Sequence, residues 1–178
     1  MGSWSARRHR LKGGPGHRAP GYRRLTAVLT LCLSLVATMT AAQCARDAVT
    51  LRGDWGQARF SVEVADTAAT RARGLMYVEE MPALSGMLFV YPDPRPVSFW
   101  MRNTLIPLDM LFFDATGRLT RLNPMARPRD ETAIPGGQAV QFVLEINGGM
   151  AARLGIAEGD VMRHPAIGSD AAWPCPAD

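Results

Sequence analysis

Lysine is nearly missing from this 178-residue chain: Lys12 is the only one, and it lies within the first 42 residues, which contain no Asp or Glu. Those 42 residues hold seven basic side chains (Arg7, Arg8, Arg10, Lys12, Arg18, Arg23 and Arg24), so the overall charge of +4 is misleading. Of 20 basic and 16 acidic residues, 20 − 7 = 13 basic and all 16 acidic ones fall in 43–178, a net of −3. All thirteen are arginines, and none forms the clustered basic stripe that a phosphate backbone requires, which argues against nucleic acid as a partner. Histidine is as scarce, with His164 alone in 43–178. A serine triad would have to use it, and no serine stands in a recognisable nucleophile turn. One histidine and two cysteines near the chain ends are too few for a zinc site. Eight methionines fall in 43–178, but without the close pairs that Cu(I) carriers use. Met76, Met87, Met101 and Met110 sit in apolar runs, where Met fills irregular core space. No metal and no cofactor is expected, and nothing in the sequence sets an oligomeric state.

What is present at the start is a leader. A basic stretch ends at Arg23-Arg24, an uncharged apolar run follows from Leu25 to Ala37, and small residues lead to Thr40-Ala41-Ala42. That order describes a signal peptide over 1–42, cut after Ala42, and a domain delivered to the periplasm or the medium. The alternative is an uncleaved anchor from Leu25 to Ala45, again with the domain outside the cytoplasm; only in that case is the membrane a partner. The residues around Arg23-Arg24 fit a twin-arginine signal poorly, and Gln43 is wrong for lipidation at Cys44. Once Cys32 leaves with the leader, Cys44 and Cys175 remain, and an even count in an oxidising compartment predicts a disulfide between them.

Beyond a link over 43–56, short strands dominate 57–168. Phe60, Val62 and Val64 alternate within a strand from Ala58 to Val64. Asp66 or Thr67 can cap a short helix through Ala72, ending near Gly74. Gly86–Tyr91 reads as a buried strand, and Val97–Arg102 as another after a proline-rich turn. Leu108–Phe113 and Arg118–Leu122 form a hairpin across Asp114-Ala115-Thr116-Gly117. A long surface loop is expected over 123–138, then a strand from Ala139 to Ile146, a helical turn in Gly148–Leu154 and a tight turn before Val161. The tail 169–178 is expected to be irregular. This pattern predicts one mainly-β domain, a compact β-sandwich or partly open barrel with one or two short helices.

Five blocks stand out in order: Arg73-Gly74-Leu75-Met76, Gly86-Met87-Leu88-Phe89, Phe99-Trp100-Met101-Arg102-Asn103-Thr104, Ile106-Pro107-Leu108-Asp109, and Val143-Leu144-Glu145-Ile146-Asn147 with Gly149. Together they resemble the family called domain of unknown function 192, over roughly 49–168. The resemblance implies a compact, mainly-β prokaryotic domain, often exported, and no known reaction. Val78 departs from it, since many relatives carry a basic residue there.

Within those blocks, polar groups interrupt runs fit for a core. Asp109 lies between Leu108 and Met110, Glu145 between Leu144 and Ile146, and Arg102-Asn103 follow Phe99-Trp100-Met101. A buried carboxylate must be paired, hydrogen-bonded or neutral, and Arg73 and Arg102 are the available partners, with Asp109 expected to be held by one of them. The cluster Arg73, Trp100, Arg102, Asn103, Asp109 and Glu145 is thus either a buried network that braces the strands or the mouth of a pocket for a small polar ligand such as a sugar. The corresponding function is a non-catalytic ligand-binding or accessory module. A hydrolase acting on a carbohydrate-like substrate is the alternative, and it needs Asp109 and Glu145 to face one another across a cleft. Against that, Glu145 shares its strand face with Gln141, Val143 and Asn147, which reads as half-exposed.

Overall fold

The computed structural model describes residues 44–176. The expected leader, its cleavage point and the anchor alternative lie outside the described residues. Seven strands and two short helices follow in the order β1 (Ala48–Gly53), β2 (Gly56–Ala65), α1 (Ala68–Arg73), β3 (Ser85–Phe99), β4 (Leu108–Phe113), β5 (Leu119–Ala126), β6 (Ile134–Asn147), α2 (Met150–Leu154) and β7 (Val161–Arg163), with a 3-10 turn at Pro165–Ile167. Among the described residues no helix is long and apolar enough to cross a membrane.

The strands form one sheet in the order β5-β4-β6-β3-β2-β1-β7. Every pairing is antiparallel except β2 with β3, whose parallel register needs the crossover that carries α1. The sheet curls into a half-barrel, the partly open form of the two architectures expected. Its outer strands meet at one end, where Arg118 bridges Val161 and the Met162 N–H donates to the Gly117 carbonyl at 2.7 Å.

Alternation along the strands splits the buried side chains into two cores. Val49, Leu51, Phe60, Leu88, Leu111, Phe113, Phe142, Leu144 and Ile146 fill the concave side. Phe89, Met110, Phe112 and Val143 point the other way and are covered by Leu75 and Met101 from the crossover and the segment after β3. Thr67 caps α1: its hydroxyl accepts from the Thr70 N–H at 3.1 Å, while Thr70 reaches back to the Thr67 N–H. Gly74, at φ 51°, ends the helix in a conformation that costs glycine least.

Three stretches differ from expectation. The link over 43–56 contains β1, which turns at Asp54-Trp55 and pairs Val49 with Phe60 and Leu51 with Ala58. The presumed turn and second strand after Tyr91 are a single strand, β3, passing through Pro92, Pro94 and Pro96 at exposed positions with three register shifts. Proline removes ladder donors, and irregular pairing is where a strand tolerates that. The loop over 123–138 is shorter than expected, because β5 runs to Ala126 and β6 begins at Ile134.

Those register shifts fold β3 back over itself. Phe89 and Phe99 are ten positions apart, which in a regular strand is ~33 Å. Their ring centroids are 5.0 Å apart and edge-on, and Phe99 also meets Phe112 at 5.8 Å. The chain after Phe99 is thereby laid over the convex face of the sheet. Cys44 and Cys175 are joined by a disulfide, and beside it Trp173 lies between the guanidinium groups of Arg52 and Arg163, at 4.3 and 4.2 Å.

Candidate functional site

The folding back of β3 leaves a cavity of about 340 Å³ between the end of α1, the two halves of β3 and β6. Glu145 supplies part of its lining from near the end of β6. It is 4% exposed, not half-exposed as its neighbours on the strand face suggest, because Val143 beside it is wholly buried. Its carboxyl makes no hydrogen bond to any described residue, yet neither oxygen is sealed from the cavity. Burial alone pushes this acid up to about 8 from an ordinary 4.5, so it is mostly a neutral carboxylic acid at neutral pH and can donate one hydrogen bond.

Phe89, Tyr91, Phe99 and Trp100 supply the aromatic walls. Met101 is fully buried and its N–H donates to the Asp130 carbonyl at 2.8 Å. Anchoring Met101 turns its neighbours outward: Trp100 is 46% exposed, and Arg102 stacks over its ring at 5.5 Å. Arg73, the last residue of α1, joins the rim beside Arg71. Arg71 is fixed by the carbonyls of Asp66 (2.6 Å) and Val90 (2.8 Å), and it lies 5.0 Å over the Tyr91 ring. Burial raises the Tyr91 phenol above its usual range, Arg71 and Arg95 pull it down, and Glu145 adds to the rise.

Four of the six candidate residues therefore converge: Arg73, Trp100, Arg102 and Glu145. Asn103 sits beside the cavity and is not part of its lining. Its φ of 55° suits asparagine, its carbonyl accepts from the Tyr77 N–H at 2.9 Å, and its role is to tie the crossover to the segment after β3. Arg71 and Tyr91 were not among the candidates; Arg71 looks like an ordinary helix residue, and only the fold shows that it reaches Val90.

Asp109 is elsewhere. It is fully buried on the concave side, and among the described residues no arginine holds it. Oδ1 accepts from the N–H groups of Met125 (2.8 Å) and Gly149 (2.9 Å), and Oδ2 from that of Ala151 (2.8 Å). The expectation of an arginine partner is thus corrected: backbone amides do the work. Met125 and Gly149 both have left-handed φ values, 53° and 80°; glycine takes this conformation readily, so the one costly backbone turn that the carboxylate helps to hold is that at Met125. In the β4–β6 register Asp109 faces Ile146 while Met110 faces Glu145. The two carboxyls point to opposite faces of the sheet and cannot flank one bond.

His164 offers no general base. Its Nδ1 accepts from the Ala166 N–H at 3.1 Å, which leaves Nε2–H to donate to the Arg46 carbonyl at 2.9 Å, and burial lowers its pKa.

The model of the family DUF192, described as uncharacterised, matches residues 49–164. A protein of unknown function from Novosphingobium aromaticivorans is 44% identical, with a TM-score of 0.64 over 65% of this chain and 82% of its own. A protein from Sinorhizobium meliloti, described as a candidate transcription regulator, is 37% identical, with a TM-score of 0.66 over 70% of this chain and 97% of its own. No curated protein matches.

Proposed function

The chain belongs to the uncharacterised family DUF192, and within it we propose that this member is an exported, non-catalytic module that binds a small polar ligand in the cavity over Glu145. The observation that carries this reading is a carboxyl almost fully buried, without a protein partner, at an opening lined by aromatic rings and arginines. Its oxygens reach the cavity, so a ligand entering there can meet a carboxyl that no described residue meets. A cavity of this size suits a compact metabolite. Export is supported by the order of basic, apolar and small residues in 1–42 and by the pairing of Cys44 with Cys175.

The Sinorhizobium relative is described as a candidate transcription regulator; were this chain to bind DNA in such a role it would need a basic face, and residues 43–178 carry a net −3. The hydrolase reading has lost its pair of facing carboxylates.

Amide NMR spectra of the purified protein, recorded against a library of neutral, cationic and anionic metabolites at millimolar concentration, test the proposal. Shifts gathered at Gly74–Met76 and Phe99–Arg102, and abolished in Trp100→Ala, are expected. A library that leaves those amides unmoved would overturn the reading.

A further inference from the structure

The distribution of charge around the cavity narrows the ligand. Arg71, Arg73 and Arg102 all line it, and Arg95 approaches Tyr91 from the folded part of β3 at 5.8 Å. Glu145 is the one acid in the lining. The ion pairs of the described residues, Arg46–Asp66, Arg95–Asp93 and Arg127–Asp130, include none of the three lining arginines. Arg71 is held by carbonyls, whereas Arg73 and Arg102 donate to no described residue, and Arg102 is aligned by its stacking on Trp100. Three arginines without an ion pair among the described residues are thus gathered at one opening, although 43–178 is acidic overall.

Resting on the reading of this cavity as a binding site, we infer that its ligand is a small anionic ring compound: a carboxylate or phosphate lies against Arg73 and Arg102, the ring packs on Phe99 and Trp100, and a hydrogen-bond acceptor meets Glu145. Guanidinium groups match both oxyanions through paired N–H donors. The neutral acid at the floor gives a hydrogen bond that a second carboxylate could not, and its lack of charge spares the anion a repulsion.

Four probes that share a ring and differ in the head group decide this: benzoate, phenyl phosphate, benzyl alcohol and benzylamine, titrated into the purified protein by amide NMR. The anions should shift the cavity amides at concentrations about tenfold or more below those needed for the alcohol, and benzylamine should bind weakest. Arg73→Gln with Arg102→Gln should abolish the advantage of the anions and leave the alcohol unchanged; both arginines lie at the rim, so the fold should persist. Preference for benzoate over phenyl phosphate, or the reverse, assigns the head group. Equal binding of alcohol and anions, or an anion preference that survives the double substitution, would overturn the inference and leave the site reading intact. Silence from all four probes, while other ring-free compounds shift the same amides, would overturn this inference alone; silence from every compound sinks both.

Discussion

Asp109 and Glu145 are each an acid set in an apolar strand, on neighbouring strands one register position apart, and the fold treats them in opposite ways. On the concave face three backbone N–H groups surround Asp109 and leave it no unmet capacity that matters. On the convex face Glu145 has no hydrogen-bond partner among the described residues and opens to a cavity. One carboxyl organises the chain around it, joining β4 to the turn in β5 and the start of α2. The other organises no backbone group among the described residues. The same sequence pattern thus marks a brace in one place and a candidate site in the other, and only the partners distinguish them.

Substitution should separate the two most strongly at Asp109. Asp109→Asn replaces an acceptor by an NH₂ group among three donors, and loss of the charged hydrogen bonds should lower stability by about 3–5 kcal/mol in urea unfolding. A loss under about 1 kcal/mol would break the contrast.

Glu145→Gln should act in the other direction. Because folding raises this acid from 4.5 to about 8, the folded chain holds the proton more tightly than the unfolded one. The stability this supplies is complete below 4.5 and is lost as pH climbs to about 8. Glutamine does not titrate, so the variant should match the parent near pH 4 and exceed it by about 3 kcal/mol at pH 7, with a flatter pH profile between. A difference between variant and parent that does not grow across that interval would show that Glu145 is not held protonated by the fold.

Smaller effects are expected where a core side chain is exchanged for one of equal volume or an exposed cation is removed. Met87→Leu and Met101→Leu conserve volume and should each cost under about 1.5 kcal/mol by the same measurement. Arg102→Gln removes an exposed cation that makes no ion pair, and stability should change by under about 0.5 kcal/mol even as anion binding falls.

Much of this was legible in the sequence, for local reasons. β2 shows clean alternation at Phe60, Val62 and Val64, and α1 carries its capping residue and terminal glycine, so both were readable. β1 was not: only Val49 and Leu51 alternate there, and the strand exists because β2 and β7 pair with it from either side. The far half of β3 was hidden by its prolines, since nothing local reveals that β6 will accept an irregular register. At the site, Arg102 and Glu145 could be singled out because each interrupts or ends an apolar run, and Trp100 because it is the large aromatic directly before Met101-Arg102. The partners of Asp109 could not, because a backbone amide has no residue type to read.

The bridge between Cys44 and Cys175 brings Cα atoms 131 positions apart in sequence to within 5.7 Å. Covalently the domain is therefore a ring, with all seven strands threaded between its clasped ends. A protease that cuts once in an exposed connection, such as Asp54-Trp55 or Asp114–Gly117, opens the ring but releases no fragment, and every strand stays tethered to its partners. Trimming from either end stops mattering to the sheet once it reaches the clasp. The same nearness of the ends means that they could be joined by a peptide linker and new termini opened at one of those turns, leaving the cavity untouched. Such a circuit is a form of damage tolerance rather than of stability.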